Sequence, residues 1–248
     1  DEVISADSTS VNLYKLIVAA LRLNPSRKVV VSEAGNFPTD LHIAEGAVAA
    51  VAGAELRVVE RGALADALGD DTALLLLTHV HYKTAERFDM AAWTKAAHDA
   101  GALICWDLSH SAGAVAVELN AADADMAVGC GYKYLNGGPG APAFLYVAKR
   151  WQEQMHNPLS GWMGHAAPFE FADGYEAAAG MTRWLTGTPS VVGLNALENG
   201  LKLWADIDIR QVEAKSAALW EVFHAVGAAA GLECVTPSTP SQRGSHIS

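Results

Sequence analysis

The chain has 248 residues, of which 51% are hydrophobic, so it is long enough to bury a substantial core and too apolar to be disordered. Its formal net charge of −11 argues against a nucleic-acid partner and an anionic membrane surface, because both require clustered lysine and arginine. No apolar run approaches the ~18 residues of a membrane span, no signal peptide is visible, and three cysteines without C-x-x-C spacing favour the reducing cytoplasm.

Short apolar and β-branched runs predict the strands. The run at 73–78 is almost wholly apolar, as in a strand covered on both faces, whereas the run at 55–59 alternates like a half-exposed edge. Helical patterns alternate with these runs, which predicts an α/β fold with a mainly parallel sheet flanked by helices. In such sheets ligands bind beyond the carboxyl ends of the strands. The remaining predicted strands are 3–6 (buried), 28–32, 102–106, 126–130 and 143–147.

Capping residues and apolar spacing predict where the helices begin. Thr9 or Ser10 is the natural N-cap of the first helix, and Thr39 or Asp40 is positioned to cap the second. Pro189 at the first helical position opens a later helix that runs to residue 204. Between 151 and 188, glycine-punctuated loops are expected. Further helices are predicted at 62–68, 89–100 and 209–230.

Two histidines at the end of a predicted strand raise the alternative of a metal site. His79 and His81 are two residues apart, so on a strand they would lie on one face. No carboxylate or third ligand stands at a suitable spacing nearby. We therefore expect no metal ion to be bound there.

The most informative stretch runs from residue 106 to residue 142. Asp107 and His110 follow one apolar run, and Lys133 follows another within a glycine-bounded segment. This grouping suits a pyridine cofactor that bonds covalently to the lysine and pairs its ring nitrogen with the aspartate. A surface lysine and a helix-capping aspartate would fit the spacing equally well.

Two segments in this stretch resemble a known family. Residues 107–113 (DLSHSAG) and 132–140 (YKYLNGGPG) are similar, nearly residue for residue, to kynureninases. These are pyridoxal-phosphate enzymes of fold type I, close to the class V aminotransferases. The resemblance extends from about residue 7 to the last residues. Family members are longer at both ends, so we expect a fragment truncated at both ends, with a cofactor-binding large domain at 1–206 and an incomplete smaller domain at 207–248.

The resemblance implies roles for individual residues. Lys133 would bond to the cofactor aldehyde, Asp107 would keep the pyridine nitrogen protonated, and Tyr132 would bind the phosphate or donate a proton to the β-carbon. Phe37 would stack on the cofactor ring, as aromatic rings do in proteins. The residues implied to bind pyridoxal 5′-phosphate are Thr9, Ser10, Phe37, Pro38, Thr39, Asp40, Thr78, Asp107, His110, Tyr132, Lys133, Trp162 and Thr188.

The implied reaction is hydrolysis of the Cβ–Cγ bond of L-kynurenine to anthranilate and L-alanine, within tryptophan catabolism and NAD biosynthesis. The resemblance also implies a homodimer in which Trp162 and Thr188 reach the cofactor of the neighbouring subunit. One alternative is another class V enzyme, an aminotransferase or a cysteine desulfurase. Desulfurases usually carry histidine where this chain has Tyr132, and they need a mobile cysteine, which Cys234 does not resemble. A second alternative is a cofactor-binding fragment that binds weakly and does not turn over kynurenine.

Overall fold

The predicted α/β fold is confirmed by a computed structural model, which describes residues 1–248. One seven-stranded sheet has the order β1-β7-β6-β5-β4-β2-β3. All pairings from β3 to β6 are parallel, whereas β7 runs antiparallel to both of its neighbours. The strands are β1 (Val3–Ser5), β2 (Val29–Glu33), β3 (Glu55–Val59), β4 (Thr72–Thr78), β5 (Leu103–Asp107), β6 (Met126–Cys130) and β7 (Ala143–Val147).

Helices cover both faces of the sheet, and short 3-10 turns connect several elements. None of the helices combines the length and the apolar character that crossing a membrane requires. The helices are α1 (Thr9–Leu23), α2 (Pro38–Ala49), α3 (Leu64–Ala67), α4 (Met90–Asp99), α5 (Lys149–Gln152), α6 (Val191–Lys202) and α7 (Ile209–Ala229), with 3-10 turns at Arg61–Ala63, Trp162–Gly164, Gly180–Trp184 and Pro240–Gln242.

The first strand differs from the sequence-based expectation. The sequence predicts a buried strand at 3–6, but Val3 is 55% exposed. The reason is its position, because β1 is an edge strand that pairs only with β7. At the opposite edge, β3 has the half-exposed character that its alternating sequence predicts.

The predicted caps of the first two helices were wrong. Ser8, in an extended conformation, caps α1 by accepting a hydrogen bond from the Val11 N–H, so Thr9 and Ser10 are the first helical residues instead. At α2, Phe37 occupies the cap position without a side-chain bond, and Asp40 turns into the protein interior. An inward carboxyl group on the first turn is available for chemistry because it is not used as a cap.

The start of α6 also lies two positions later than predicted, at Val191 instead of Pro189. Ser190 is the N-cap and accepts a hydrogen bond from the Gly193 N–H, so Pro189 precedes the helix instead of opening it. A hydroxyl group satisfies a free helical N–H, which a proline at that place cannot do.

Two apolar clusters lie on opposite faces of the sheet. In β4, Leu74 and Leu76 belong to the cluster beneath α1 and α2, whereas Leu75 and Leu77 belong to the cluster beneath α4. The alternation follows from the two-residue period of a strand. Burying each leucine contributes about 2 kcal/mol, so the all-apolar run of β4 fixes the centre of the sheet.

Several polar segments lie close together at the carboxyl edge of the sheet, which is formed by the carboxyl ends of its parallel strands. Strands β2, β4, β5 and β6 are parallel neighbours, so the residues that follow them emerge at one edge. Strand β1 runs in the same direction as β6, because both pair antiparallel with β7. The N-terminus of α1, with its free N–H groups, therefore also lies at this edge, which is where ligands bind in open α/β sheets.

The last residues return to the segment after β4. Glu213 on α7 bonds to Arg87 at 2.7 Å, and Glu86 pairs with Arg243 as an isolated bridge. The Gly244 N–H donates to the Ala85 carbonyl at 2.7 Å. The division of the chain at residue 206 stays a prediction.

Candidate active site

Two carboxyl groups meet at the carboxyl edge. Asp107 ends β5 and Asp40 lies on the first turn of α2, and each is 2% exposed. Burial, then the charge of Asp107 and a hydrogen bond with it, raise the pKa of Asp40 well above its usual range. Burial also raises the pKa of Asp107, although the Ser109 N–H donates to its Oδ1 at 2.8 Å and opposes the rise. We conclude that the pair shares one proton, with Asp40 neutral and Asp107 charged.

A buried polar network supports Asp40 from the side of β2 and β4. Thr78 Oγ1 lies 3.3 Å from Asp40 Oδ2 and donates to Asn36 Oδ1 at 2.5 Å. The Asn36 amide nitrogen donates to Ser32 Oγ at 3.0 Å. Sequence reasoning missed Asn36 and Ser32. The only signal was a serine at the end of a buried β-branched run, where an unpaired hydroxyl group would be costly.

Lys133 meets His110 beside the carboxyl pair. The Lys133 Nζ lies 3.2 Å from His110 Nε2. Burial, then the positive charge of Lys133, lower the pKa of His110 to about 4, so this imidazole is neutral at pH 7. Its Nδ1 is buried and has no hydrogen-bond partner. An unpaired buried ring nitrogen is unfavourable, so this atom offers a contact to a bound ligand.

Two glycines allow the chain to fold tightly around Lys133. A Cβ on Gly131 would lie 2.3 Å from the Pro142 carbonyl oxygen. A Cβ on Gly113 would lie 2.8 Å from the Tyr134 carbonyl oxygen, and its φ of +82° also favours glycine. Gly113, in the first resembling segment, and Gly131, directly before the second, therefore have a steric reason for their positions.

Tyr132 stands on the open side of Lys133. It is 51% exposed, and Lys133 Nζ lies 5.8 Å from the centre of its ring. Partial burial raises the pKa of the Tyr132 phenol, so the hydroxyl group stays protonated at neutral pH. A protonated phenol beside an amine can donate a proton to a ligand bound between them.

The remaining predicted site residues lie at other places around the edge. Thr9 and Ser10 open α1, and Phe37 meets Tyr82 edge-to-face with ring centres 5.1 Å apart. Pro38 and Thr39 form the first turn of α2. These five residues make no direct bond with Lys133, and their contacts with a cofactor stay predictions.

Trp162 and Thr188 lie in two loops that pack against each other. The Met163 N–H donates to the Thr186 carbonyl at 3.2 Å, and Gly161 also sits against Thr186. Trp162 is 38% exposed and lies near Phe169, and no hydrogen bond joins either loop to Lys133. Within one chain, the structure therefore brings together Asp40, Thr78, Asp107, His110, Tyr132 and Lys133, but neither of these loops.

The two histidines considered as metal ligands have separate partners. His79 Nδ1 lies 2.8 Å from Ser111 Oγ, whereas His81 Nε2 lies 2.6 Å from the Gly35 carbonyl. No group of three potential ligands is close enough to hold a metal ion. The hydrogen bonds account for both side chains as part of the fold.

Buried neutral histidines predict acid sensitivity. Burial, as the largest cause, lowers the pKa of His79 to about 3 and that of His110 to about 4. Unfolded histidine takes up a proton near pH 6.5, so between about pH 6.5 and 4 the unfolded chain binds more protons. We expect the free energy of unfolding to fall with pH by about 1.4 kcal/mol per unit for each histidine.

Urea denaturation at pH 7, 6 and 5 measures this slope. His110→Gln is expected to reduce the slope of the free energy of unfolding against pH by the contribution of one histidine. His156→Gln, at an exposed position, is expected to leave this slope unchanged. An equal slope in the parent and in His110→Gln would contradict the assignment.

Comparisons with known proteins identify the family of the chain. A family model described as aminotransferase class-V matches residues 3–248. The kynureninase of Deinococcus radiodurans is 47% identical over 251 residues, and that of Burkholderia mallei is 48% identical over 258 residues. Both matches cover 100% of this chain, and the chain spans 61% and 62% of those two proteins.

Solved structures share the fold at low sequence identity. The apo cysteine desulfurase from Thermococcus onnurineus has a TM-score of 0.84 at 18% identity, covering 99% of this chain and 62% of that one. An alanine–glyoxylate aminotransferase from Nostoc has a TM-score of 0.70 at 17% identity, covering 98% of this chain and 64% of that one. At these identities, the two likenesses show a common fold.

Proposed function

Because the chain belongs to the aminotransferase class-V family, we propose that it binds pyridoxal 5′-phosphate and contributes to the hydrolysis of L-kynurenine to anthranilate and L-alanine. The observation that carries the proposal is the meeting of Lys133, His110 and the Asp40–Asp107 pair at the carboxyl edge. Identities of 47–48% to kynureninases over the whole chain support this substrate in preference to others.

The residues at the edge fit the proposed cofactor. Lys133 offers a half-buried amine for an aldehyde, and Asp107 offers a buried carboxylate for a protonated ring nitrogen. His110 Nδ1 is a buried nitrogen without a partner, which a polar group on the ring would satisfy. The free N–H groups and hydroxyls of Thr9 and Ser10 suit a phosphate at the N-terminus of α1.

The chemistry divides between the bound group and the side chains. When bound, pyridoxal 5′-phosphate supplies an electron-accepting ring. Lys133 would hold the group through its aldehyde, and its amine, once released, would remove and return a proton at the substrate α-carbon. Asp107 keeps a proton on the ring nitrogen because it remains the charged member of its pair. Tyr132 donates a proton to the β-carbon, and its raised pKa keeps that proton in place until it is needed.

Residues around the edge complete the proposed site. Phe37 would stack on the cofactor ring, and Pro38 and Thr39 lie beside it on the first turn of α2. Thr78 acts through its neighbours, because its hydroxyl oxygen lies 2.5 Å from Asn36 Oδ1 and 3.3 Å from Asp40 Oδ2. Residues 1–206 form the cofactor-binding domain, and residues 207–248 belong to a smaller domain.

The proposed setting is the cytoplasm, in tryptophan catabolism that feeds NAD biosynthesis. All three cysteines are free thiols, which supports a reducing compartment. Cys234 lies half-buried, with its thiol directed to the Thr236 carbonyl at 3.7 Å. That contact gives no support to its use as a mobile sulfur carrier, so desulfuration is not the function that we propose.

Product analysis tests the proposed reaction. The protein is incubated with pyridoxal 5′-phosphate and L-kynurenine, and anthranilate is followed by fluorescence while L-alanine is identified by chromatography. We expect both products in equal amounts, and none with Lys133→Ala. Sulfide released from L-cysteine without anthranilate from kynurenine would contradict the proposed substrate. Cofactor binding by residues 1–248 without any product would restrict these residues to the cofactor-binding part of the proposal.

We further propose that the site is shared across a homodimer. Trp162 and Thr188 lie on exposed loops that make no bond with Lys133 of their own chain, and Phe169 and Phe171 beside them are more than 70% exposed. These features support contact with a neighbouring subunit, because an interface would bury these rings.

Subunit mixing checks the shared site. A Lys133→Ala protein and a Trp162→Ala protein are each expected to be weakly active, and mixing them should restore activity in the heterodimers that carry one intact site. Val235→Ala, at an exposed position away from both loops, serves as the matched control for mixing. Heterodimers that form without any rescue would contradict the proposal.

A further inference from the structure

Asn36 lies in a buried network whose hydrogen-bond directions are fixed at one end. The Asn36 amide nitrogen donates to Ser32 Oγ at 3.0 Å, and Ser32 Oγ donates to the Leu76 carbonyl at 2.8 Å. The single hydroxyl proton of Ser32 goes to that carbonyl, so Ser32 can only accept from Asn36. The nitrogen of the Asn36 amide must therefore face Ser32.

The other end of the amide is fixed as well. The Phe37 N–H donates to Asn36 Oδ1 at 2.7 Å, which confirms that the oxygen faces this side. Thr78 Oγ1 lies 2.5 Å from the same oxygen, and a carbonyl oxygen only accepts, so Thr78 must donate. The single proton of the Thr78 hydroxyl group is thereby committed to Asn36.

The direction of the Thr78 hydroxyl proton affects the charge of the neighbouring Asp40 carboxyl group. Thr78 Oγ1 is 3.3 Å from Asp40 Oδ2, a much longer contact than the 2.5 Å bond to Asn36. With its proton directed to Asn36, the hydroxyl group presents lone pairs to Asp40. An ionised carboxyl group would be repelled by those lone pairs, whereas a neutral one is tolerated.

We propose that Asn36 is a positioning residue: by taking the Thr78 hydroxyl proton, it keeps Asp40 neutral, so that Asp40 donates to Asp107 and Asp107 retains the negative charge. Burial, then Asp107, raise the pKa of Asp40, whereas a hydrogen bond from Thr78 and the charge of Lys133 lower it. The lowering by Thr78 requires its hydroxyl proton, for which Asn36 Oδ1 at 2.5 Å competes with Asp40 Oδ2 at 3.3 Å. The buried Cys105 thiol also lies near the pair, and burial raises its pKa well above the usual range. His110, beside Lys133, and Tyr132, whose pKa the charge of Asp107 helps to raise, are the other titratable neighbours. The catalytic consequence rests on the proposed function, but the proton arrangement does not.

The test follows the carboxyl groups themselves. The whole chain, labelled with ¹³C at the aspartate carboxyl carbons and free of added cofactor, is titrated by NMR. Asp40→Asn identifies the Asp40 signal by its loss. In Asn36→Leu we expect the Asp40 midpoint to fall by about one pH unit or more, because Thr78 is released to donate to the Asp40 carboxylate.

A second experiment, in the Thr78→Val protein, separates the proposed role of Asn36 from a general loss of packing. In Thr78→Val, Asp40 receives no hydroxyl proton, so its midpoint should stay high. Asn36→Leu should then have no further effect on it. Equal falls in both backgrounds, or no fall with Thr78 present, would overturn the proposal. If the Asn36→Leu protein does not fold, Asn36→Ser is the second variant, because its side chain is too short to reach Thr78. An unchanged titration midpoint of Asp40 in Asn36→Ser would also overturn the proposal.

Discussion

Replacing Lys133 with alanine is expected to lower kynurenine turnover by about 10³-fold or more. The structure places the Lys133 amine 3.2 Å from His110 and beside the Asp40–Asp107 pair, in the position from which it would both hold the cofactor and move the α-proton. Loss of a single acid–base group costs roughly 10²–10⁴-fold, and loss of the covalent anchor adds to that. Anthranilate release by the protein that carries this chain measures the effect.

A labelling experiment checks the same assignment without turnover. Borohydride reduction in the presence of pyridoxal 5′-phosphate, followed by peptide mapping, should mark Lys133. Lys149→Ala is the matched control, because Lys149 is exposed on α5 at a distance from the carboxyl edge. We expect that variant to keep both the label and the rate. A label on Lys149 or Lys83 instead of Lys133 would contradict the assigned role.

Asp107→Asn is expected to leave cofactor binding largely intact and to lower turnover by about 10²-fold. The amide keeps the size of the side chain and its contact with the Ser109 N–H, but it removes the negative charge that holds a proton on the ring nitrogen. Removing one preorganised electrostatic contact of this kind costs about 10²–10³-fold. Cofactor absorbance and anthranilate release separate binding from rate.

Asp40→Asn provides the comparison for this prediction. Because Asp40 is the neutral member of the pair, an amide in its place changes no charge, and we expect a loss of less than about ten-fold. If Asp40→Asn lost more rate than Asp107→Asn, the charge would lie on Asp40 and the assigned arrangement would be reversed. Unchanged rates in both variants would remove the carboxyl pair from the proposed chemistry.

Local patterns in the sequence are enough to predict much of the scaffold. The alternation of apolar runs with helical patterns predicted the sheet and its helices, because periodicity is a local property of adjacent residues. The all-apolar run of β4 identified a central strand, and the polar residues after β5 and β6 placed Asp107 and Lys133 at the carboxyl edge. The resembling segments added the cofactor and the substrate as expectations.

Which polar groups meet depends on the packing of segments that are distant in the chain. Asp40 and Asp107 are 67 residues apart in sequence numbering, and Asn36 and Thr78 are 42 apart, so no local pattern could pair them. The antiparallel β7 and the exposure of β1 likewise depend on how distant segments pack. Burial then sets the charges, since a carboxyl group in water ionises freely, whereas two buried together share a proton. For that reason the neutral state of Asp40 and the role of Asn36 follow from the folded structure and not from the spacing of residues.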